Sequence, residues 1–305
     1  MRLNIKILLL VIISLGTSCN EEDKVIVSDI PELIYGKYTL PQGDHEFDDE
    51  IVKFYADYHS LLLYKFSKKD FEWNVTGSIL WNPVSDTTGG GYEYEVADEM
   101  YVGAQLDLLH NKCFNYFPKE WLKALLPQRI LLCSKLNRVG ENLSHYPTEA
   151  DKYFQHGVQG YCHFAVNWGN ADILSMTAED RNTFKIEMCK LFLRYIFPST
   201  GNGEDRLKRP KLFETISSYT DDYESGNYTN GILDPNHRTS VREDWFDYLI
   251  MVISTPYSEL ISEGGMLSPA VDIEGKIRKK YDILVNYFLE EHGFDIQQIG
   301  NDVEI

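Results

Sequence analysis

Two short segments of this chain carry charged side chains at the spacing of one helix turn. Residues 184–190 read FKIEMCK, and residues 243–247 read EDWFD. Side chains three or four positions apart share one face of a helix, so Glu187 and Lys190 can form an ion pair. Asp247 ends the second segment and can accept a hydrogen bond from Lys190 if the two helices meet. In that case Glu187, Lys190 and Asp247 would form one ionic cluster.

Other sequence motifs that carry chemistry are absent. The sequence has no Gly-x-Ser-x-Gly motif and no dinucleotide-binding fingerprint, and Gly89–Gly91 lacks the lysine that follows in a phosphate-binding loop. The histidines have no metal-ligand spacing, so we interpret them as surface or core residues: His110, His145, His156, His163 and His237. The later cysteines have no CxxC or CxxxC spacing, and we expect buried free thiols at Cys113, Cys133, Cys162 and Cys189.

Two helices with clear start signals must position the charged residues. Thr177 is a good N-cap, and the residues after it predict a core helix over 178–197 that is apolar on nearly every side. Ser240 opens a capping box and a second helix over 241–253. Residues 198–236 predict a long irregular excursion with at most short elements. We expect the two helices to pack against each other.

The rest of the chain predicts a mixture of helices and strands. We predict a helix over 47–65, a strand over 71–81, two helices over 97–126 broken at Pro118, strands over 129–133 and 161–168, and a last helix from Ser268 to Gly293. The 161–168 strand is expected at an edge or half-buried. Since no internal repeat or composition shift marks a second domain, we predict a single α+β domain.

The order of these elements resembles the zinc-binding metallopeptidase family of bacterial surface lipoproteins. In that family a helix bearing His-Glu-x-x-His precedes a helix bearing Glu-Asp-Phe-Ala-Glu, and residues 186–190 and 243–247 stand at those places here. The resemblance covers most of the chain and is strongest over 183–299. It implies a zincin-like fold with a central apolar helix. Histidines at i and i+4 hold zinc in the family, and the glutamate between them activates a water molecule.

This chain departs from the family at the metal ligands. Ile186 and Lys190 occupy the positions of the two histidines, Glu187 alone is retained, and Asp247 replaces the expected glutamate. Isoleucine has no donor atom, and a lysine ammonium repels a cation. We therefore expect no zinc and no other cofactor at this former metal site, and a catalytically inactive homologue. The alternative is an active zinc-dependent peptidase with non-standard ligands.

The N-terminus predicts export and lipid attachment. Residues 1–18 combine basic residues, a short apolar run and small residues before Cys19, as in a lipoprotein signal peptide whose cysteine is acylated. The run is shorter than the roughly 20 residues of a membrane-spanning helix. Residues 19–29 form an acidic tether that resembles a surface-display signal, and residues 30–305 form the zincin-like domain. We expect a lipid-anchored outer-membrane protein that faces the cell exterior.

Charge and aromatic content narrow the expected partners. The formal net charge of -18 repels phosphate backbones, so nucleic-acid binding is not expected. Most of the 20 tyrosines are expected to be structural, and the candidates for contact with a glycan or peptide ligand are Tyr92, Tyr94, Tyr101, Tyr219, Tyr223 and Tyr228. The family resemblance adds outer-membrane nutrient-uptake proteins as expected partners.

Overall fold

The computed structural model describes residues 38–72, 91–139, 148, 152–198, 204–222, 224 and 226–305. The chain divides into two compact units, Met1–Thr39 and Leu40–Ile305, and the elements below all belong to the second. The predicted signal peptide, Cys19 and the tether lie outside the described residues. Within the described ranges, no helix has both the length and the apolar character needed to cross a membrane.

The described strands form one mixed sheet. They are β1 (Leu61–Leu63), β2 (Gly91–Val96), β3 (Arg129–Val139), β4 (Lys152–Phe154), β5 (Gly157–Gln159) and β6 (His163–Val166). The first part of β3 pairs in parallel with β1 and with β6, and β5 continues the sheet antiparallel to β6. The second part of β3 pairs antiparallel with β2 and β4. Because β3 has neighbours along its whole length, it is the centre of the sheet.

The described α-helices contact the sheet and one another. They are α1 (Glu46–Tyr58), α2 (Lys68–Glu72), α3 (Val102–Lys112), α4 (Lys119–Leu125), α5 (Ala178–Ile196), α6 (Lys211–Glu214), α7 (Val241–Ser254), α8 (Tyr257–Leu260), α9 (Lys276–Asn286) and α10 (Gln297–Asn301). A π-helical turn, Tyr287–Glu291, extends α9. The fold therefore mixes helices with a mixed sheet, as the sequence predicted at this coarse level.

Helix α5 begins where its sequence signal predicts. Thr177 Oγ1 accepts a hydrogen bond from the Asp180 backbone N–H at 3.1 Å, and the Asp180 carboxylate accepts one from the Thr177 N–H at 2.9 Å. This reciprocal capping satisfies backbone donors at the helix start. The buried residues lie on one side of the helix, whereas Thr183 and Arg194 are exposed. Helix α5 is therefore two-sided. The sequence had predicted a helix that is apolar on nearly every side, and that prediction is wrong.

Helices α5 and α7 pack against each other, which confirms the predicted contact. The ring of Phe197, just after α5, meets the Trp245 ring of α7 edge to face at 5.7 Å. The Arg194 guanidinium lies 4.6 Å from the centroid of the Phe246 ring. Helix α5 also contacts β5 and α3. Its buried face is thus held between the sheet and α7.

The predicted helix over 47–65 is too long, because His59 takes the left-handed conformation that ends α1 at Tyr58, and Leu61–Leu63 form β1. Two other predicted element boundaries are wrong because side chains cap the backbone elsewhere. Phe71 lies in α2 and not in a strand, since the Asp70 carboxylate accepts hydrogen bonds from both the N–H and the hydroxyl of Ser67 and caps that helix. Residues 73–81 of the predicted strand lie outside the described residues. The last helix begins at Lys276 and not at Ser268, because the Asp272 carboxylate accepts hydrogen bonds from the Ile277 and Arg278 N–H groups.

Strand β6 is neither an edge strand nor half-buried. Residues His163–Val166 are all buried, and the strand lies between β3 and β5. The alternation of polar and apolar residues over 161–168 had suggested an edge. That prediction is wrong because a polar residue of the alternating pattern is itself buried. His163 lies beside the Phe71 ring, at 5.8 Å between ring centroids.

Candidate functional site

Glu187 and Lys190 lie on the more accessible side of α5 and form an ion pair. Lys190 Nζ donates to Glu187 Oε1 at 2.6 Å, and the lysine and glutamate side chains are 28% and 39% exposed. Ile186, which the sequence comparison placed at the first ligand position, is half-buried and offers no donor atom. The sequence thus correctly predicted the pair on this helix face, and the Lys190 ammonium is paired with the Glu187 carboxylate.

Asp247 has a different partner. Its Oδ2 lies 2.7 Å from Nδ1 of His237, whose other ring nitrogen is 3.9 Å from Glu243 Oε1. Burial raises the pKa of Asp247 to about 6, although the hydrogen bond to His237 opposes the shift. Burial lowers the pKa of His237, but Asp247 and its neighbouring carboxylates outweigh burial and raise it above the usual value.

The predicted cluster of Glu187, Lys190 and Asp247 is therefore split in two. Within the part of the chain that the structure describes, Lys190 pairs with Glu187 and makes no ion pair with Asp247. His237 was predicted to be a surface or core residue because the histidines have no metal-ligand spacing. The irregular excursion returns this histidine to the α7 face in the turn Pro235–His237, which no local spacing could show.

These side chains do not fit a zinc ion. Position 186 has no lone pair, and the Lys190 ammonium would face the cation with the same sign of charge. Among the described residues, no group of three or more His, Cys, Asp or Glu side chains is arranged to hold a metal ion. No chemical step through a metal follows from this arrangement.

A second lysine–carboxylate pair lies in the core, and sequence reasoning missed it. Lys280 of α9 donates from Nζ to Asp244 Oδ2 of α7 at 2.5 Å, and both side chains are 0% exposed. The Tyr219 hydroxyl donates to the same oxygen at 2.6 Å, and Lys280 also donates to the Gly231 carbonyl at 2.9 Å. Burial raises the pKa of Asp244 and lowers that of Lys280, since it disfavours both charges. This pair connects α9, α7 and the excursion.

Two of the tyrosines that are candidates for ligand contact are engaged within the protein. The Tyr94 ring stacks on Phe71 with 3.9 Å between centroids, and Tyr219 is engaged by Asp244. Tyr228 is 39% exposed, and Tyr223 lies outside the described residues. Two of these tyrosines therefore serve internal packing or hydrogen bonding.

The four cysteines that were predicted to be buried thiols are buried and form no disulfide, as expected.

A different aromatic cluster contacts α5 through one of its members. It consists of Phe154, His156 and Trp168, whose ring centroids are 5.1, 5.3 and 5.9 Å apart in pairs. His156 also contacts Phe184 of α5 at 6.0 Å. The carboxylate of Glu187 and the ammonium of Lys190 both act on the pKa of His156, which burial lowers. A sequence signal existed, because Phe154 and His156 stand two residues apart and so face the same way in an extended chain.

A separate cleft of about 570 Å³ opens between α1, α3 and α4. Its buried aromatic residues are Phe54, Phe114 and Phe117, and charged groups such as Lys53 and Asp57 line its rim. This volume is in the range of small-molecule sites. Apart from His110, the cleft contains none of the residues that the sequence singled out.

Comparisons with known proteins give one distant likeness. The chain matches no protein-family model and no curated protein. Among solved structures it is similar to the crystal structure of a "putative zinc-binding metallo-peptidase" from Bacteroides caccae ATCC 43185. The sequence identity is 12%, the match covers 85% of this chain and 91% of that chain, and the TM-score is 0.45. A likeness of this size carries no argument about activity.

Proposed function

We propose that this chain is a surface-exposed lipoprotein and a catalytically inactive metallopeptidase homologue that acts as a binding or accessory protein in nutrient capture. The observation that carries the proposal is the ion pair at the former metal site, where Lys190 donates to Glu187 at 2.6 Å. A glutamate engaged by an ammonium cannot serve as the free base that activates water in a zinc peptidase. The zincin-like character of the fold is part of the same proposal.

The binding half of the proposal is supported by surfaces that could hold a small ligand. The cleft beside α1 is large enough for one, and the aromatic cluster beside α5 exposes ring surface close to charged groups. Ligand sites combine aromatic walls with a few well-placed polar groups. Either a glycan or a peptide is compatible with this arrangement.

Metal content and peptidase activity test the inactive assignment together. Purified protein should contain much less than about one zinc per chain after dialysis, and it should cleave no peptide in a mixed library. Added zinc should change neither result, because the former ligand positions do not offer a tetrahedral donor set. Tightly bound zinc that is lost together with peptide cleavage on chelation would establish the alternative, an active peptidase with non-standard ligands.

The assignment of the former metal site has its own test. A triple variant, Ile186→His with Lys190→His and Asp247→Glu, restores the family's ligand types at the matched positions. We expect this variant to bind zinc, measured by isothermal calorimetry, while the parent does not. The single variant Ile186→His is the matched control. A triple variant that folds and binds no zinc would mean that these three positions never converged on one metal.

The lipid anchor is tested by fractionation. Cys19→Ala removes the acylated sulfur, so the protein should move from the membrane pellet to the soluble fraction. Protease added to whole cells should degrade the parent if it faces the exterior. A variant that still pellets with membranes after a high-salt wash would rule out Cys19 as the anchor.

A further inference from the structure

We propose that Phe154, His156 and Trp168, with the Glu187–Lys190 pair beside them, bind a neutral, hydroxyl-rich saccharide. This inference rests on the proposed binding function and names the ligand class. Phe154 is 52% exposed although it contacts both other rings, and Trp168 is only half-buried. Aromatic surface that stays exposed in a contiguous group marks a binding site more often than isolated exposed residues do.

The backbone at Trp168 is held in a conformation that a bulky residue rarely adopts. Its φ angle is +80°, in the left-handed region. The buried Asn167 fixes it, since Asn167 Oδ1 accepts the Trp168 N–H at 2.9 Å and its amide donates to the Gln155 carbonyl at 2.9 Å. A bulky residue keeps a left-handed backbone conformation only where the surrounding contacts hold it there. Residues strained in this way are concentrated at functional sites.

Gly169 holds the other side of Trp168. A Cβ at this position would lie 2.6 Å from the Ala97 Cβ and 2.9 Å from the Cys133 carbonyl oxygen, so no larger residue fits. The Gly169 N–H donates to that carbonyl at 2.8 Å. The indole is therefore presented by a rigid turn, and binding to it costs little loss of conformational freedom.

His156 adds a hydrogen-bond donor of fixed direction. Its Nδ1 accepts the indole N–H of Trp168 at 3.0 Å. Burial lowers the pKa of His156, so the ring is neutral at pH 7 and carries its proton on Nε2. Nε2 has no hydrogen-bond partner among the described residues, and it is available to a ligand hydroxyl.

The chemistry around the rings selects a saccharide over other ligands. A wholly apolar partner would leave the His156 donor without a hydrogen bond on desolvation, and it would remove water from the charged Glu187–Lys190 pair, whose one hydrogen bond joins the two side chains to each other. A sugar offers apolar C–H faces to the rings and hydroxyls to these polar groups. The carboxylates of Glu187 and Asp180 outnumber the Lys190 ammonium beside His156, and the chain carries a net charge of -18, so an anionic polymer is repelled.

Affinity electrophoresis tests the inference with xyloglucan, galactomannan and pullulan as neutral probes and polygalacturonate as the anionic one. We expect at least one neutral polysaccharide to retard the full-length protein, and polygalacturonate to leave its mobility unchanged. Phe154→Ala should weaken that retardation about tenfold, because exposed aromatic residues at the centre of a contact carry much of its binding energy. Trp168→Gly should do the same while keeping the backbone unstrained, since glycine accepts positive φ.

Tyr153→Ala is the matched control. Tyr153 is 56% exposed and adjoins Phe154 in β4, but its side chain points to the opposite face of the strand. This variant should bind as the parent does, and circular dichroism melting should show that all three variants are folded. Retardation by no neutral probe, or equal loss in Tyr153→Ala and Phe154→Ala, would overturn the inference.

Two further outcomes would also overturn it. Retardation by polygalacturonate alone would mean that charge and not ring stacking drives binding. A dimer in light scattering that Phe154→Ala dissociates would assign the rings to a second copy of this chain. The zinc measurement tests the proposed function separately from these saccharide and dimer measurements. A zinc-free protein without saccharide binding would contradict this inference alone, whereas a zinc-loaded active peptidase would contradict the proposed function.

Discussion

The pairs Lys190–Glu187 and Lys280–Asp244 join the same kinds of groups at nearly the same distance, 2.6 and 2.5 Å, in opposite surroundings. The first pair is 28% and 39% exposed, and the second is 0% exposed on both sides. Water screens the first pair and can solvate either partner alone. The second pair has only protein around it, so each charge depends on the other. Distance alone therefore does not rank ion pairs, and burial does.

The largest effect is expected from Lys280→Met. The variant leaves Asp244 buried without its cation, at a cost of about 3–5 kcal/mol in the free energy of unfolding. The Asp244 carboxylate keeps a hydrogen bond from Tyr219, but its other oxygen, Oδ1, has no partner among the described residues. Urea denaturation at pH 7 and pH 5 measures the loss, which should be smaller at pH 5 because protonation removes the stranded charge.

Lys279→Met is the matched control for the core pair. Lys279 is the preceding residue on α9 and is exposed, so its loss should change the free energy of unfolding by less than about 0.5 kcal/mol. Adding Asp244→Asn to Lys280→Met should recover part of the lost stability, since no charge then remains buried. Equal effects of Lys279→Met and Lys280→Met would refute the claim that the buried Lys280 charge stabilises the fold through Asp244.

An intermediate, pH-dependent effect is expected at Asp247 and His237. The folded-state pKa of Asp247 is about 6 against 3.8 in the unfolded chain, so the folded state binds more protons between these values. Its contribution to stability is therefore present below pH 4 and is lost as the pH rises through 6. The raised pKa of His237 likewise contributes stability at low pH, and this contribution is lost as the pH rises further. Asp247→Asn should remove this slope.

Chemical denaturation from pH 4 to pH 7 checks that expectation. Relative to the parent, Asp247→Asn should gain about 2 kcal/mol of stability over this interval. The carboxylates that face His237 are Asp234, Glu243 and Asp247. The control variant Asp57→Asn leaves all three in place. Its plot of stability against pH should therefore run parallel to that of the parent. If the Asp247→Asn curve also runs parallel, burial does not perturb this carboxylate.

The smallest effect is expected from Lys190→Met. A lysine that replaces zinc in a dry site would cost about 3–5 kcal/mol on removal, but this pair is accessible to solvent, so the expected loss is about 0–1 kcal/mol. Thermal melts at pH 7 and pH 4 should both lie close to those of the parent. A loss as large as that of Lys280→Met would instead place Lys190 in a structural role equivalent to that of Lys280.

Local signals in the sequence were sufficient wherever a feature depends on neighbours along the chain. Thr177 and Asp180 cap α5 as predicted, and Lys190 reaches Glu187 because three residues separate them on a helix. The break between α3 and α4 near Pro118 also follows from local chemistry, since proline lacks the N–H that a helix interior needs.

Sequence patterns failed where a feature depends on residues that meet only in the folded chain. Asp244 and Asp247 lie one turn apart on α7, yet one faces Lys280 in the core and the other faces His237. Nothing in the segment EDWFD assigns the two roles, because they depend on α9 and on the irregular excursion. Burial of His163 in β6 likewise comes from strands on both sides of it.

The sequence by itself determined the ligand chemistry of positions 186, 187 and 190, since side-chain type alone decides whether a lone pair is available to a metal. It also determined where the two long helices begin. Only the tertiary structure decided which lysine is buried, which histidine meets Asp247, and that Trp168 is held beside Phe154 and His156. The physical reason is that burial and charge pairing are set by distances in space, and the residues concerned belong to different elements or loops of the fold.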